Sequence, residues 1–104
     1  MQSKPLKRKL RRDALQGITD TIKVLLAAPV TTDDDKLHFA VLAEIASMGE
    51  KKLLDVRSDY TINFSPAQAI AIRILAVDYM YDAKTSYIGN TLHQISNQAH
   101  KQYA

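Results

Sequence analysis

Ser65–Lys84, SPAQAIAIRILAVDYMYDAK, is the stretch on which the fold turns. Ser65 is a favoured helix N-cap, Pro66 suits the first helical position, and Gln68 three residues after the cap completes a capping-box pattern. From Ala69 to Val77 the only charge is Arg73. At about 100° per residue, Ile70, Ile74, Val77 and Tyr81 fall on one apolar face and Ile72, Leu75 and Tyr79 on another, roughly opposite. Ala69, Ala76 and Ala83, seven apart, make a small-residue seam where another helix can approach closely. The polar strip is narrow, with Asp78 and Asp82 helped by Gln68. A helix apolar nearly all round belongs inside a bundle or at a subunit interface, so this one is expected to be the least exposed element.

Upstream of it, Tyr60–Phe64 alternates with period two and reads as extended. No second strand is apparent in the chain to pair with it. The segment is therefore either a connector laying Tyr60, Ile62 and Phe64 across the bundle or a strand that pairs with its copy in a dimer.

Before that comes a helix opening at Thr32–Asp34 and running to about Ser58. Phe39, Leu42, Ala46, Gly49, Leu53, Val56 and Tyr60 alternate three and four apart, and Leu37, Val41, Ile45 and Met48 form a second stripe. Two stripes imply contact with more than one neighbour. Asp33–Asp35 put negative charge at the positive end of this helix. The triplet lacks the alternating ligands, the glycine and the distal Glu of a calcium loop.

At the N-terminal end, Leu6, Leu10, Ala14, Ile18, Ile22 and Leu25 recur at three or four, which predicts an amphipathic helix from about Pro5 to Ala28, closed by Pro29. Gly17 is its weak point, costing about 1 kcal/mol against alanine. After the Ser65–Lys84 helix, Thr85 or Ser86 caps a fourth, with Ile88, Leu92, Ile95, Ala99 and Tyr103 as a narrow apolar stripe. The expected fold is all-α: one domain over residues 1–104, a small four-helix bundle with a short extended segment at about 60–64.

Composition bounds the chemistry. Apolar residues at 46% and charged residues at 24% are ordinary globular values. The absence of cysteine removes disulfides, thiolate metal sites and a cysteine nucleophile. No apolar run approaches the roughly 20 residues of a membrane span. Asp13, Asp20 and Lys23 interrupt any signal-peptide core, so a soluble cytoplasmic protein is expected, without membrane contact. No glycine-rich phosphate loop, His-Glu-x-x-His pair or nucleophile elbow occurs. His93 and His100, with Asn90 and Asn97, share one face of the last helix, but seven residues is about 10.5 Å along the axis, too far to chelate one ion. Asp78 and Asp82 lie one turn apart and read as an exposed strip. The expectation is a non-enzymatic protein with no cofactor, no metal and no small-molecule substrate.

Charge is where the sequence departs from the plain. The net charge is +3, yet Lys4, Lys7, Arg8, Lys9, Arg11 and Arg12 crowd the first twelve residues. Of the fourteen Lys and Arg, that leaves eight against all eleven acids, a mildly acidic domain with a basic N-terminal first helix. In that helix Lys4, Lys7, Arg8 and Arg11 line one face, with Lys9 and Arg12 broadening it. Cations in first turns oppose the macrodipole, by a few tenths of a kcal/mol each, which asks for an anionic partner. Arg73 is the other unexplained charge, on the side of its helix away from Asp78 and Asp82: a snorkelling side chain, a partner of Glu44, or a contact for an anion.

These features predict a helical interaction or assembly module, self-associating or part of a larger protein assembly, that docks through the basic helix onto an acidic partner. The alternative is an accessory protein that binds DNA or RNA without sequence preference through the same residues. No aromatic residue interleaves the basic cluster and no basic recognition helix follows it.

Overall fold

The computed structural model describes residues 4–80 and 86–103. The chain runs through strand β1 (Leu6–Arg11), helix α1 (Arg12–Leu26), helix α2 (Asp33–Leu53), strand β2 (Asp59–Phe64), helix α3 (Pro66–Ile74) and helix α4 (Tyr87–Tyr103). A π-helical stretch, Leu75–Tyr79, extends α3. This is the expected four-helix bundle, carrying a short β segment. Its Cα radius of gyration, 13.0 Å, is that of a compact chain of this length.

The extended segment at Tyr60–Phe64 does have a partner within the chain, and the first helix is correspondingly shorter than its periodicity predicts. Residues 6–11 are a strand, antiparallel to β2, with Leu6 opposite Phe64, Arg8 opposite Ile62 and Leu10 opposite Tyr60. A spacing of four puts Leu6 and Leu10 on one face of a helix, but also on one face of a strand, whose period is two. Sheet pairing separates the like charges that a helix would stack at three and four residues, where they repel. It also moves the helix start to Arg12, so that an acid, Asp13, occupies the first turn.

Leu6 and Leu10 from β1 join Tyr60, Ile62 and Phe64 from β2 in the core. They meet Ile18 and Ile22 of α1, Leu42 and Ile45 of α2, Ile72 and Leu75 of the α3 stretch, and Leu92 and Ile95 of α4. Gly49 allows α1 and α2 to close: a Cβ there would lie 2.3 Å from Thr19 Oγ1. Gly17, read from sequence as a weak point, is likewise where α1 meets α4, with Ile88 in the space its side chain would need.

Side-chain caps fix the starts of α2, α3 and α4. Thr32 Oγ1 accepts from Asp35 N (3.1 Å), and Asp33–Asp35 form the first turn of α2. The capping box predicted at α3 is complete: Gln68 N donates to Ser65 Oγ, and Ser65 N donates to Gln68 Oε1. Ser86 accepts from Gly89 N at the start of α4. α2 stops at Leu53, short of the expected Ser58, leaving a bend of residues 54–58 to lead into β2.

α3 is not buried all round. Ala69, Ile72, Leu75 and Ala76 are fully buried, and the helix packs most extensively on α4. The other predicted face lies open, with Ile70 48%, Ile74 36% and Val77 49% exposed. Tyr79, predicted with Ile72 and Leu75, is 44% exposed as well. One modest core has room for one of the two stripes. Tyr81, Asp82, Ala83 and Thr85, with the readings made on them, lie outside the described residues.

Candidate interaction surfaces

Strand geometry divides the basic residues into two sets that helical spacing had merged. Lys7, Lys9 and Arg11 point outward, about 6.8 Å apart along the strand, facing Asn63, Thr61 and Asp59 across the ladder. Two of the three have acids nearby: Lys9 Nζ lies 3.5 Å from Asp59 Oδ2, and Arg11 Nε lies 3.8 Å from Asp13 Oδ1. Both pairs are largely exposed, so each contributes at most about 1 kcal/mol and leaves its cation accessible.

Arg8 and Arg12 have intramolecular partners. Arg8, half-buried on the inner side of β1, donates to Gln94 Oε1 (2.6 Å) and to Gln98 Oε1 (3.4 Å) on α4. Arg12 reaches the C-terminal end of α2, donating to Leu53 O (3.1 Å), Asp55 O (3.3 Å) and the Tyr60 hydroxyl. Cationic donors at terminal carbonyls satisfy orphan acceptors and oppose the negative end of the helix dipole. The buried Tyr60 hydroxyl completes this junction by donating to Asp55 O and accepting from Arg57 N. Lys4 is exposed, and its carbonyl is held by Gln102 Nε2 (3.1 Å) and by the Tyr103 hydroxyl (2.6 Å).

Gln94, Gln98 and Gln102, four apart on α4, thus form a ladder along the outer edge of β1, with Gln98 Nε2 also on Lys7 O (3.1 Å). The ladder occupies polar groups of an edge that would otherwise invite another strand. The i, i+4, i+8 spacing of these glutamines was the available sequence signal, but it reads equally as a solvated face.

Among the described residues, two ionisable groups are displaced from their ordinary ranges. The Arg57 guanidinium is raised, first by its hydrogen bond to Asp55 Oδ2 (2.6 Å). The Tyr87 phenol is raised by desolvation and then by its hydrogen bond to Asp13 Oδ1 (3.0 Å), which ties α4 to α1.

The second surface lies between α2 and α3. Asp34, Leu37, His38 and Val41 on one side, and Ala67, Ile70, Ala71 and Ile74 on the other, line a groove of about 400 Å³. Leu37 is 69% exposed and stands on the rim. Below it His38 pins the two helices. Its Nε2 is 3.0 Å from Ala71 O, and because a carbonyl only accepts, that nitrogen carries the proton. The ring stacks on Tyr79 (centroids 6.0 Å, 22°) and meets Phe39 edge-on. His93 Nε2 similarly donates to Met80 O (3.2 Å), so imidazoles bond carbonyls on both sides of the π-helical stretch.

Arg73 is exposed on α3 and, among the described residues, meets no acid within ion-pairing distance. The pairing with Glu44 is not made; Glu44 Oε1 instead accepts from Gln68 Nε2 (3.4 Å). Among the described residues no three His, Cys, Asp or Glu side chains cluster as metal ligands, and no helix is long and apolar enough to cross a membrane.

The chain matches no protein-family model, no curated protein and no solved structure.

Proposed function

We propose that this chain is a non-catalytic interaction module whose docking surface is the apolar groove between α2 and α3. The observation that carries the reading is the open stripe of Leu37, Ile70, Ile74 and Val77 beside a core already filled by Ile72, Leu75 and Leu42. A contiguous apolar face rimmed by polar residues marks an association site in a folded domain. The four helices and the ribbon support this face from behind, with His38 holding its two walls in register.

A second reading is favoured by one observation, the alternation of Lys7, Lys9 and Arg11 on the outer face of the β1–β2 ribbon. A two-stranded ribbon is narrow enough for the major groove of DNA. The same residues suit an acidic protein surface. With Arg8 and Arg12 engaged inside the molecule, this ribbon face is the weaker candidate.

A photo-crosslinking residue placed at Ile70, and separately at Thr61 on the ribbon face, separates the two readings in the producing cell. Adducts from position 70 but not 61 support docking through the groove. Adducts only from position 61 transfer the role to the ribbon, and none from either refutes both.

A further inference from the structure

Arg73 is unexplained by the sequence, and the fold returns it as an exposed cation beside an open apolar groove. We propose that the occupant of the α2–α3 groove is the same groove of a second copy, making an isologous homodimer. This rests on the docking surface proposed above and names its partner.

Shape supplies the first argument. Leu37 projects from the α2 wall, while the α3 wall dips at Ala67 and Ala71, which have no side chain beyond Cβ, beside the exposed ridge of Ile70 and Ile74. A twofold axis along the groove sets α2 of each copy over α3 of the other. Each Leu37 then drops into the hollow above Ala67 and Ala71 of the second copy, the self-complementary exchange that an isologous contact requires.

Charge supplies the second. The α2 wall is net acidic: Asp34 lines the groove, with Asp33 and Asp35 beside it in the same turn against one cation, Lys36, 4.0 Å from Asp33 Oδ1. Arg73 flanks the α3 wall, about 60° around the helix from Ile70. The contacts of His38 with Ala71 and of Glu44 with Gln68 show that α2 and α3 run antiparallel along the groove. Arg73 therefore stands within about one turn of the level of Asp34. The same axis brings each Arg73 to the acidic wall of the second copy, twice over. A ligand of one charge sign would satisfy one wall and oppose the other; a second copy satisfies both.

Sedimentation equilibrium of the full chain tests this, with circular dichroism checking that each variant folds. Wild type should dimerise at micromolar concentration and Leu37→Asp should be monomeric; Leu37→Asn serves if the aspartate variant misfolds. Arg73→Glu and Asp34→Arg should each weaken the dimer by about tenfold or more, since like charges then face each other twice. The double variant Asp34→Arg/Arg73→Glu should recover to within about threefold of wild type, the sign of direct coupling. A dimer indifferent to Leu37→Asp, or a double variant no tighter than the singles, overturns the proposal. So does a monomeric wild type. If that monomer still crosslinks from position 70 to another protein, self-pairing falls and the docking surface stands; if it does not, both fall.

Discussion

Replacing Arg12 by alanine separates a structural cation from a ligand-binding one. Its guanidinium donates to Leu53 O, Asp55 O and the Tyr60 hydroxyl at the end of α2. Hydrogen bonds from a charged donor contribute about 1.5–3 kcal/mol, and a cation at a helix C-terminus about 0.3–1 kcal/mol more. The junction is only partly buried, so water recovers some of the lost carbonyl bonds, and the low end applies. The expected loss is about 2 kcal/mol, or about 8–16 °C in Tm for a domain of this size. Arg12→Lys should keep the charge but not the fork, and fall between the two. Lys7→Gln and Lys9→Gln, on the exposed outer face, should each stay within about 0.5 kcal/mol of wild type. Urea unfolding followed by circular dichroism measures all four. Arg12→Ala melting with wild type, or Lys9→Gln costing as much as Arg12→Ala, would refute the division of the basic residues into inner and outer sets.

Gly49→Ala should destabilise by about 1–3 kcal/mol despite the better helix propensity of alanine, because Thr19 Oγ1 stands 2.3 Å from the new Cβ and is anchored to Leu15 O. Adding Thr19→Ala should return part of that loss in a thermal melt. If the intact chain binds duplex DNA through its ribbon, the logarithm of affinity should fall against the logarithm of salt with a slope of at most about −2.7, for three phosphate contacts rather than six. The triple variant Lys7→Gln/Lys9→Gln/Arg11→Gln should abolish that binding at an unchanged melting temperature, as fluorescence anisotropy beside a melt would show.

Local signals were legible wherever one short spacing has one physical meaning. The Ser65–Gln68 capping box and the two-residue alternation of Tyr60–Phe64 are of this kind, and both stand in the structure. Leu6 and Leu10 are not, because four residues is a repeat of both helix and strand. Only the need of β2 for a partner, together with the unfavourable charge of a basic helix start, points to the strand. The wheel gave α3 two apolar faces but could not say which has neighbours; that depends on how α2 and α4 lie against it. Arg8 and Arg12 were legible as charges and not as partners of Gln94 and Leu53, which lie 86 and 41 residues away. Of the groove's lining, Leu37, Val41, Ile70 and Ile74 were legible as apolar stripes, and it is the fold that leaves Leu37, Ile70 and Ile74 uncovered.

Equilibrium unfolding of Ile70→Asp beside Ile72→Asp, at low micromolar concentration, bears most directly on the exposed docking face. The two residues sit two apart on α3, one half-exposed and the other fully buried. Ile72→Asp places an unpaired charge in the core and should cost several kcal/mol, enough to prevent folding. Ile70→Asp should unfold within about 0.5 kcal/mol of wild type while losing the dimer. An Ile70→Asp chain that unfolds as readily as Ile72→Asp would show that this face belongs to the core, and the docking surface would not exist.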